Sequence, residues 1–258
     1  MKKVTLMLAF SFLILVTATF SQEVIPPGTV IPIELNSSFS LKSSPGHVLT
    51  ARVKQDVPLS TGGTIRAGAK VIGRVLNVTP AGSSTDGQIS FVFDKLVLSN
   101  RMVPLSVDLR AIASFVEVDQ AQIPQTGPDR GTPENAWTTV QVGGDVVYRG
   151  GGPVTEGSTI VGKPTFQGVL SQIAAKIGTS CRGAFDGNDE PQALWVFSSD
   201  ACGVYGFPGV VVAHAGRTRP PGQITLATRH GHLNVSGGTG MLLRVTGASQ
   251  NGAINNNG

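Results

Sequence analysis

Ile25-Pro26-Pro27-Gly28-Thr29-Val30-Ile31 is echoed by Ile65-Arg66-Ala67-Gly68-Ala69-Lys70-Val71 and again by Val235-Ser236-Gly237-Gly238-Thr239-Gly240-Met241. In each copy a glycine supplies a turn, and the chain then runs into alternating apolar positions. The alternation nominates Ile31, Ile33 and Leu35, then Val71 and Val75, then Met241, Leu243 and Val245 as inward-facing. The copies are irregularly spaced, so they read as turn-plus-strand units of one β architecture and not as a solenoid.

Outward from these units, residues 48–57 alternate, and two further stretches, 89–98 and 102–112, meet at the turn Ser99-Asn100-Arg101. That makes five or six strands by residue 113. A Gly/Pro-rich region over 123–164 interrupts the pattern, with Gln125-Thr126-Gly127-Pro128-Asp129-Arg130-Gly131-Thr132-Pro133 as a linker or exposed loop. Residues 166–177 read as the one helix: Val169, Leu170, Ile173, Ala174 and Ile177 share a face, Lys176 sits in the last turn and Gly178 closes it. A valine-rich strand follows at 210–213. The expected fold is mainly β, a barrel-like or sandwich antiparallel domain. It begins over 24–113, is closed by strands at 223–247, and carries 114–222 as an inserted disulfide-containing module with one short helix. Residues 248–258 are expected to be a polar, disordered tail.

Lys2 and Lys3 precede an apolar stretch that gives way to small and polar residues up to Ser21. This is the pattern of a secretory signal peptide over 1–21, with cleavage after Ala18 or Ser21; an uncleaved anchor is the alternative. Export places the protein in the periplasm, the outer membrane or the extracellular medium of a bacterium. Without Lys2 and Lys3 the 20 basic residues fall to 18, against 16 acidic ones. So balanced a chain, with no long basic run, argues against nucleic acid as a partner. About 235 residues remain after cleavage, enough for one large β domain or two smaller ones.

Cys181 and Cys202 are the only cysteines. In an oxidising compartment they are expected to pair, and closing a loop of about twenty residues would stabilise the fold by about 3 kcal/mol. A catalytic thiol is the competing reading. Gly157-Ser158-Thr159-Ile160-Val161-Gly162-Lys163 has phosphate-loop spacing, but Pro164 stands where a magnesium-holding hydroxyl is needed and lacks the N–H of a phosphate cradle. His230 and His232 would point to one face of a strand, yet the carboxylate and further histidine of a metal site are missing, and His214 and His47 are isolated. Asp186, Asp189 and Glu190 lack the ordering of a calcium loop. Ser198, Asp200 and His214 have triad residue types and nothing more. No hydrolase signature is present. The expectation is a protein without catalytic residues, metal or cofactor.

The aromatic residues are the best wager for binding. Trp195 and Phe197 share one face of a strand, as do Tyr205 and Phe207. If 193–199 and 203–209 pair as a hairpin, four rings line one surface beside Cys202, a platform for sugar rings or a partner peptide. The alternative is that these rings form the core of the second module. Arg217, Arg219 and Arg229 give a local basic edge that suits a solvated loop or contact with anionic lipid or polymer.

Ile25-Pro26-Pro27-Gly28-Thr29-Val30-Ile31-Pro32, Ala51-Arg52-Val53-Lys54-Gln55-Asp56-Val57, Ile65-Arg66-Ala67-Gly68-Ala69-Lys70-Val71-Ile72-Gly73 and Phe93-Asp94-Lys95-Leu96-Val97-Leu98 follow one another in an order that resembles the C-terminal β-barrel of the TrbI-like family. The resemblance covers residues 24–107. Members of that family form the envelope-spanning core of type IV secretion and conjugation channels. It implies a barrel and a periplasmic or surface location.

Together these readings point to an exported, non-enzymatic structural or interaction protein of the bacterial cell envelope. It would assemble with envelope proteins or with itself, and reach a membrane through its partners. The alternative is a secreted glycan- or polymer-binding module that uses the aromatic hairpin.

Overall fold

The computed structural model describes residues 25–82, 85–123, 137–144, 146–149, 152–173, 190–213, 220–229 and 231–246. The first half holds β1 (Val30–Leu35), β2 (Phe39–Ser40), β3 (Val48–Val53), β4 (Val57–Pro58), β5 (Thr64–Ile65), β6 (Lys70–Thr79), β7 (Gly87–Leu98), β8 (Arg101–Pro104) and β9 (Val107–Ala113), followed by helix α1 (Phe115–Gln122). Next come β10 (Trp137–Val140), β11 (Val146–Arg149), β12 (Val154–Glu156), β13 (Thr159–Thr165), β14 (Gly168–Ser171) and β15 (Gln192–Ala193). The chain ends with β16 (Gly203–Tyr205), β17 (Val210–Val212), β18 (Ile224–Thr228), β19 (Asn234–Val235) and β20 (Gly240–Val245).

Ten strands form one sheet in the order β16-β9-β20-β1-β3-β6-β7-β18-β17, with β8 also on β7. Its pairs are antiparallel except β16 with β9. The three sequence echoes build it by one device. Thr29, Ala69 and Thr239 each donate a backbone N–H to the carbonyl three residues back, at Pro26, Arg66 and Ser236. Between them Gly28, Gly68 and Gly238 take φ of 86°, 88° and 83°, which an L side chain adopts only with strain. Each glycine then donates its own N–H to the last residue of a neighbouring strand, Val245, Val53 or Leu35. Thus one turn type starts β1, β6 and β20 and sets the register of each against its neighbour.

The alternation then buries one face. Ile31, Ile33, Leu35, Val71, Val75, Met241, Leu243 and Val245 all lie in the main core, as expected. Phe39, Phe91 and Phe93 fill its centre, with ring centroids 5.0 and 5.8 Å apart. The sheet's two edge strands are consecutive in the chain: β16 ends at Tyr205 and β17 begins at Val210. That connection spans at most roughly 17 Å, so the sheet curls on itself. The edges are not joined by a ladder, so the expected barrel is an open, mixed sheet around one core.

A second layer lies on the outer face of β1, β9 and β20. There Val30, Ala111, Ala113 and Leu242 pack against Val118 and Ala121 of α1 and against Val142, Leu194, Trp195 and Phe197. The six-stranded sheet β10-β11-β12-β13-β14-β15 meets this layer and the large sheet at its two ends, with β10 against α1 and β15 against β1. The segment 114–222 therefore divides: β10–β15 make the second sheet, while β16 and β17 belong to the large one.

The helix expected over 166–177 is a β-hairpin where the chain is described. Thr165 pairs with Gly168 across a two-residue turn, with Gln167 at φ 73°, and Val169 and Ser171 are buried in strand alternation. A short apolar run at 169 and 170 fits a helix face or a strand covered on both sides, and the turn decides between them. Residues 174–177 lie outside the described residues. The observed helix is α1, where Ser114 Oγ accepts the N–H of Glu117 at the N-cap. No helix among the described residues is long and apolar enough to cross a membrane.

Candidate functional site

Gln55 follows β3 and is buried, and its amide reaches three segments of chain. Oε1 accepts from Val169 N at 3.0 Å and from Trp195 N at 2.7 Å; Nε2 donates to Val169 O at 2.8 Å and Thr165 Oγ1 at 3.2 Å. Gln141 completes the arrangement from β10's end, with Nε2 donating to Trp195 O at 3.3 Å. Trp195 itself sits at φ 54°, a conformation a bulky residue takes only under constraint. Both polar groups of its backbone are thus held by buried glutamine side chains. Gln192 is a third fastener: its Oε1 accepts the N–H of Val30 at the start of β1.

Above this pinned tryptophan is a cleft of about 410 Å³ between α1 and the β13–β14 hairpin. Its floor is Val169 and Trp195, and its walls carry Gln122, Thr139, Gln141 and Gln167. Lys54 Nζ stands 5.2 Å from the centre of the Trp195 ring and is paired with Glu34 at 2.8 Å, so the charge at the mouth is balanced. Phe166, at the hairpin tip, is 87% exposed. A second cavity of about 270 Å³ adjoins on the far side of Gln141, between Glu117, Gln120 and Val140. Gln141 Oε1 has no hydrogen-bond partner among the described residues.

Behind the cleft, Arg110 of β9 holds the 199–201 turn, its Nε donating to Ala201 O at 3.1 Å and its Nη2 to Ser199 O at 3.2 Å. Burial, and then the neighbouring Arg244, lower Arg110 to about 10. Burial raises Tyr205, whose hydroxyl accepts from Cys202 N and donates to Cys202 O. These contacts shape the turn and touch neither cavity.

The four expected aromatic residues do not form a hairpin platform. Strand β15 pairs with β14, and β16 runs parallel to β9, so residues 193–199 and 203–209 are in different sheets. Trp195 and Phe197 meet edge to face, centroids 6.5 Å apart, in the core of the outer layer. Tyr205 packs against that same core, partly buried, and Phe207 packs against the main core of the large sheet. The polar demands of the irregular 194–202 segment, met by Gln55, Gln141 and Arg110, override the strand alternation read there.

Cys202 is buried; Cys181 lies outside the described residues, so the pairing is not observed between described atoms. His214, His230, Asp186 and Asp189 also lie outside them, and so do residues 1–24 and 247–258. His232 is exposed and precedes β19, and no group of metal-ligating side chains occurs among the described residues. Ser198 Oγ donates to Asp200 Oδ1 at 2.7 Å but is itself fully buried. Residues 157–163 form a hairpin turn and strand, without the helix of a phosphate loop.

Sequence reasoning missed Gln55, Gln141, Lys54 and Phe166, since glutamines carry no pattern until their distant partners are known. Comparison of the chain with protein-family models, characterised proteins and solved structures gives no match.

Proposed function

We propose that the protein is an exported, non-enzymatic interaction protein of the bacterial cell envelope, and that it takes its partner at the cleft between α1 and the β13–β14 hairpin. The observation that carries this is where its apolar side chains are exposed. Among the described residues nine large hydrophobic side chains stand out in solvent, and six of them, Phe115, Val116, Ile123, Val140, Ile160 and Phe166, are on α1, at its end, or on the outer sheet. Such clustering marks interaction surfaces. The resemblance to the TrbI-like barrel would make the partner another envelope protein, and the curled ten-stranded sheet suits the role of a rigid carrier.

A Cys181–Cys202 disulfide belongs to this proposal. It is supported by the burial of Cys202 and by the lack of a free cysteine among the described residues. In the alternative function, the cleft binds a glycan. The specific support is its lining, where Trp195 and Phe166 stand among amide and hydroxyl side chains.

The test is purification of tagged protein from its native envelope after mild cross-linking, beside a Phe166→Ser variant. Partner proteins retained by the native chain and lost from the variant support the proposal. Retention that ignores Phe166 removes the cleft from it, and oligosaccharide binding by the purified chain selects the glycan reading.

A further inference from the structure

The outer face of β3, β6, β7 and β8 lines neither cavity. The ladder registers place Arg52 opposite Lys70, Lys70 opposite Val97, and Val97 opposite Met102. The next row is Thr50, Ile72, Lys95 and Pro104, and the one after brings Val48 beside Arg74. All these side chains leave the sheet on the side opposite the core, since Ala51, Val71, Leu96 and Val103 between them are buried in it. Four strands at the usual spacing make a patch roughly 14 Å wide.

Two features separate this patch from an ordinary solvated sheet. The first is its charge. Arg74 is paired with Asp94, but Arg52, Lys70 and Lys95 are exposed and have no carboxylate partner among the described residues. Glu34, across from Arg52 in the ladder, is engaged by Lys54. Arg52 and Lys70 face each other directly across two strands, a placement that destabilises a sheet. The second feature is apolar. Met102 is 68% exposed and Val48 58%, with Ile72 and Val97 half-buried between the cations. Unpaired cations call for an anionic partner. A soluble polyanion would use the charges alone, whereas an anionic bilayer uses both features, phosphates at its surface and apolar contact just beneath.

We propose that this face docks on anionic phospholipid membranes, with Arg52, Lys70 and Lys95 meeting headgroup phosphates and Met102 and Val48 entering the boundary with the acyl chains. It is a direct contact, independent of the cleft and of any protein partner.

Co-sedimentation of the purified full-length chain with vesicles tests it. The chain binds phosphatidylcholine vesicles containing phosphatidylglycerol, binds pure phosphatidylcholine far more weakly, and is released by salt. Lys70→Gln lowers the partition coefficient about fivefold, and Arg52→Gln, Lys70→Gln and Lys95→Gln together lower it about a hundredfold. Met102→Ser, which keeps every charge, also lowers it relative to native. A control with Lys42→Gln and Arg229→Gln, exposed cations outside β3, β6, β7 and β8, leaves binding within about a factor of two of native. Near-ultraviolet circular dichroism confirms that the variants are folded. Equal loss in the control, equal binding to neutral vesicles, or binding to an acidic polysaccharide with none to anionic vesicles would overturn the proposal.

Discussion

Gln55 and Trp195 are joined by a buried hydrogen bond of 2.7 Å, with the glutamine Oε1 accepting the tryptophan N–H. The same oxygen accepts from Val169 N, so one amide ties the end of a strand in the large sheet to both sides of the cleft floor. Trp195 sits in the left-handed region, which costs about 1–3 kcal/mol and persists only where the surroundings impose it.

Gln55→Leu keeps the volume but leaves the N–H groups of Val169 and Trp195 buried without an acceptor. At about 1–3 kcal/mol for each, the expected loss of stability is about 2–6 kcal/mol, read from urea unfolding. Tryptophan emission should shift to the red as residue 195 loosens. A loss below about 1 kcal/mol with unchanged emission would show that the staple is dispensable.

Gly68→Ala isolates the cost of the turn. A Cβ at Gly68 meets nothing within 4 Å, so only the φ of 88° is at stake. The left-handed conformation costs an L residue about 1–2 kcal/mol, and thermal unfolding should register that much. Gly238→Ala should cost more, because there the added carbon lies 2.5 Å from Phe115 Cδ2.

Asp56 carries a pH dependence of known sign. Its carboxylate accepts from Ala67 N at 2.8 Å and from Arg66 at 2.7 Å, and these two contacts, in that order, lower it below the ordinary 3.8. A carboxyl lowered in the folded state contributes stability that is present above its unfolded value and lost as pH falls through the folded one. Melting curves of native protein and Asp56→Asn should therefore draw together as pH falls below 3.8, with native protein ahead at neutral pH. The pair is exposed and the difference is small. Parallel curves at every pH would refute the linkage.

The large sheet was legible because its signals are local. Gly28, Gly68 and Gly238 announce a turn within four residues, and the alternation after each shows which face is buried. Helix α1 was written in Ser114-Phe115-Val116-Glu117, which has the spacing of a capping box although the Ser114 N–H goes to Tyr205 O, but Phe115 and Val116 face solvent and give no apolar periodicity. At 166–177 the reverse held: the periodicity was there, and the tight turn at Phe166-Gln167 made a hairpin. The cleft was not legible because its fasteners are long-range, Gln55 reaching 114 residues to Val169 and 140 to Trp195.

Phe166 separates binding from stability. Its side chain stands at the hairpin tip with little to pack on, so Phe166→Ser should change the unfolding free energy by no more than about 0.5 kcal/mol. The same change removes the most exposed apolar ring at the cleft's mouth. If the cleft is where a partner protein docks, retention of that partner should fall tenfold or more, the ordinary consequence of losing about 1.4 kcal/mol or more at an aromatic anchor. Gly168→Ala is the complementary change. Its Cβ would come within 2.1 Å of Gln55 Oε1 and 2.7 Å of Trp195 Cα, prying the floor open from beneath. That variant should lose stability and partner together. A Phe166→Ser protein that keeps its partner would remove the cleft from the proposal whatever Gly168→Ala does, because the glycine change also costs stability.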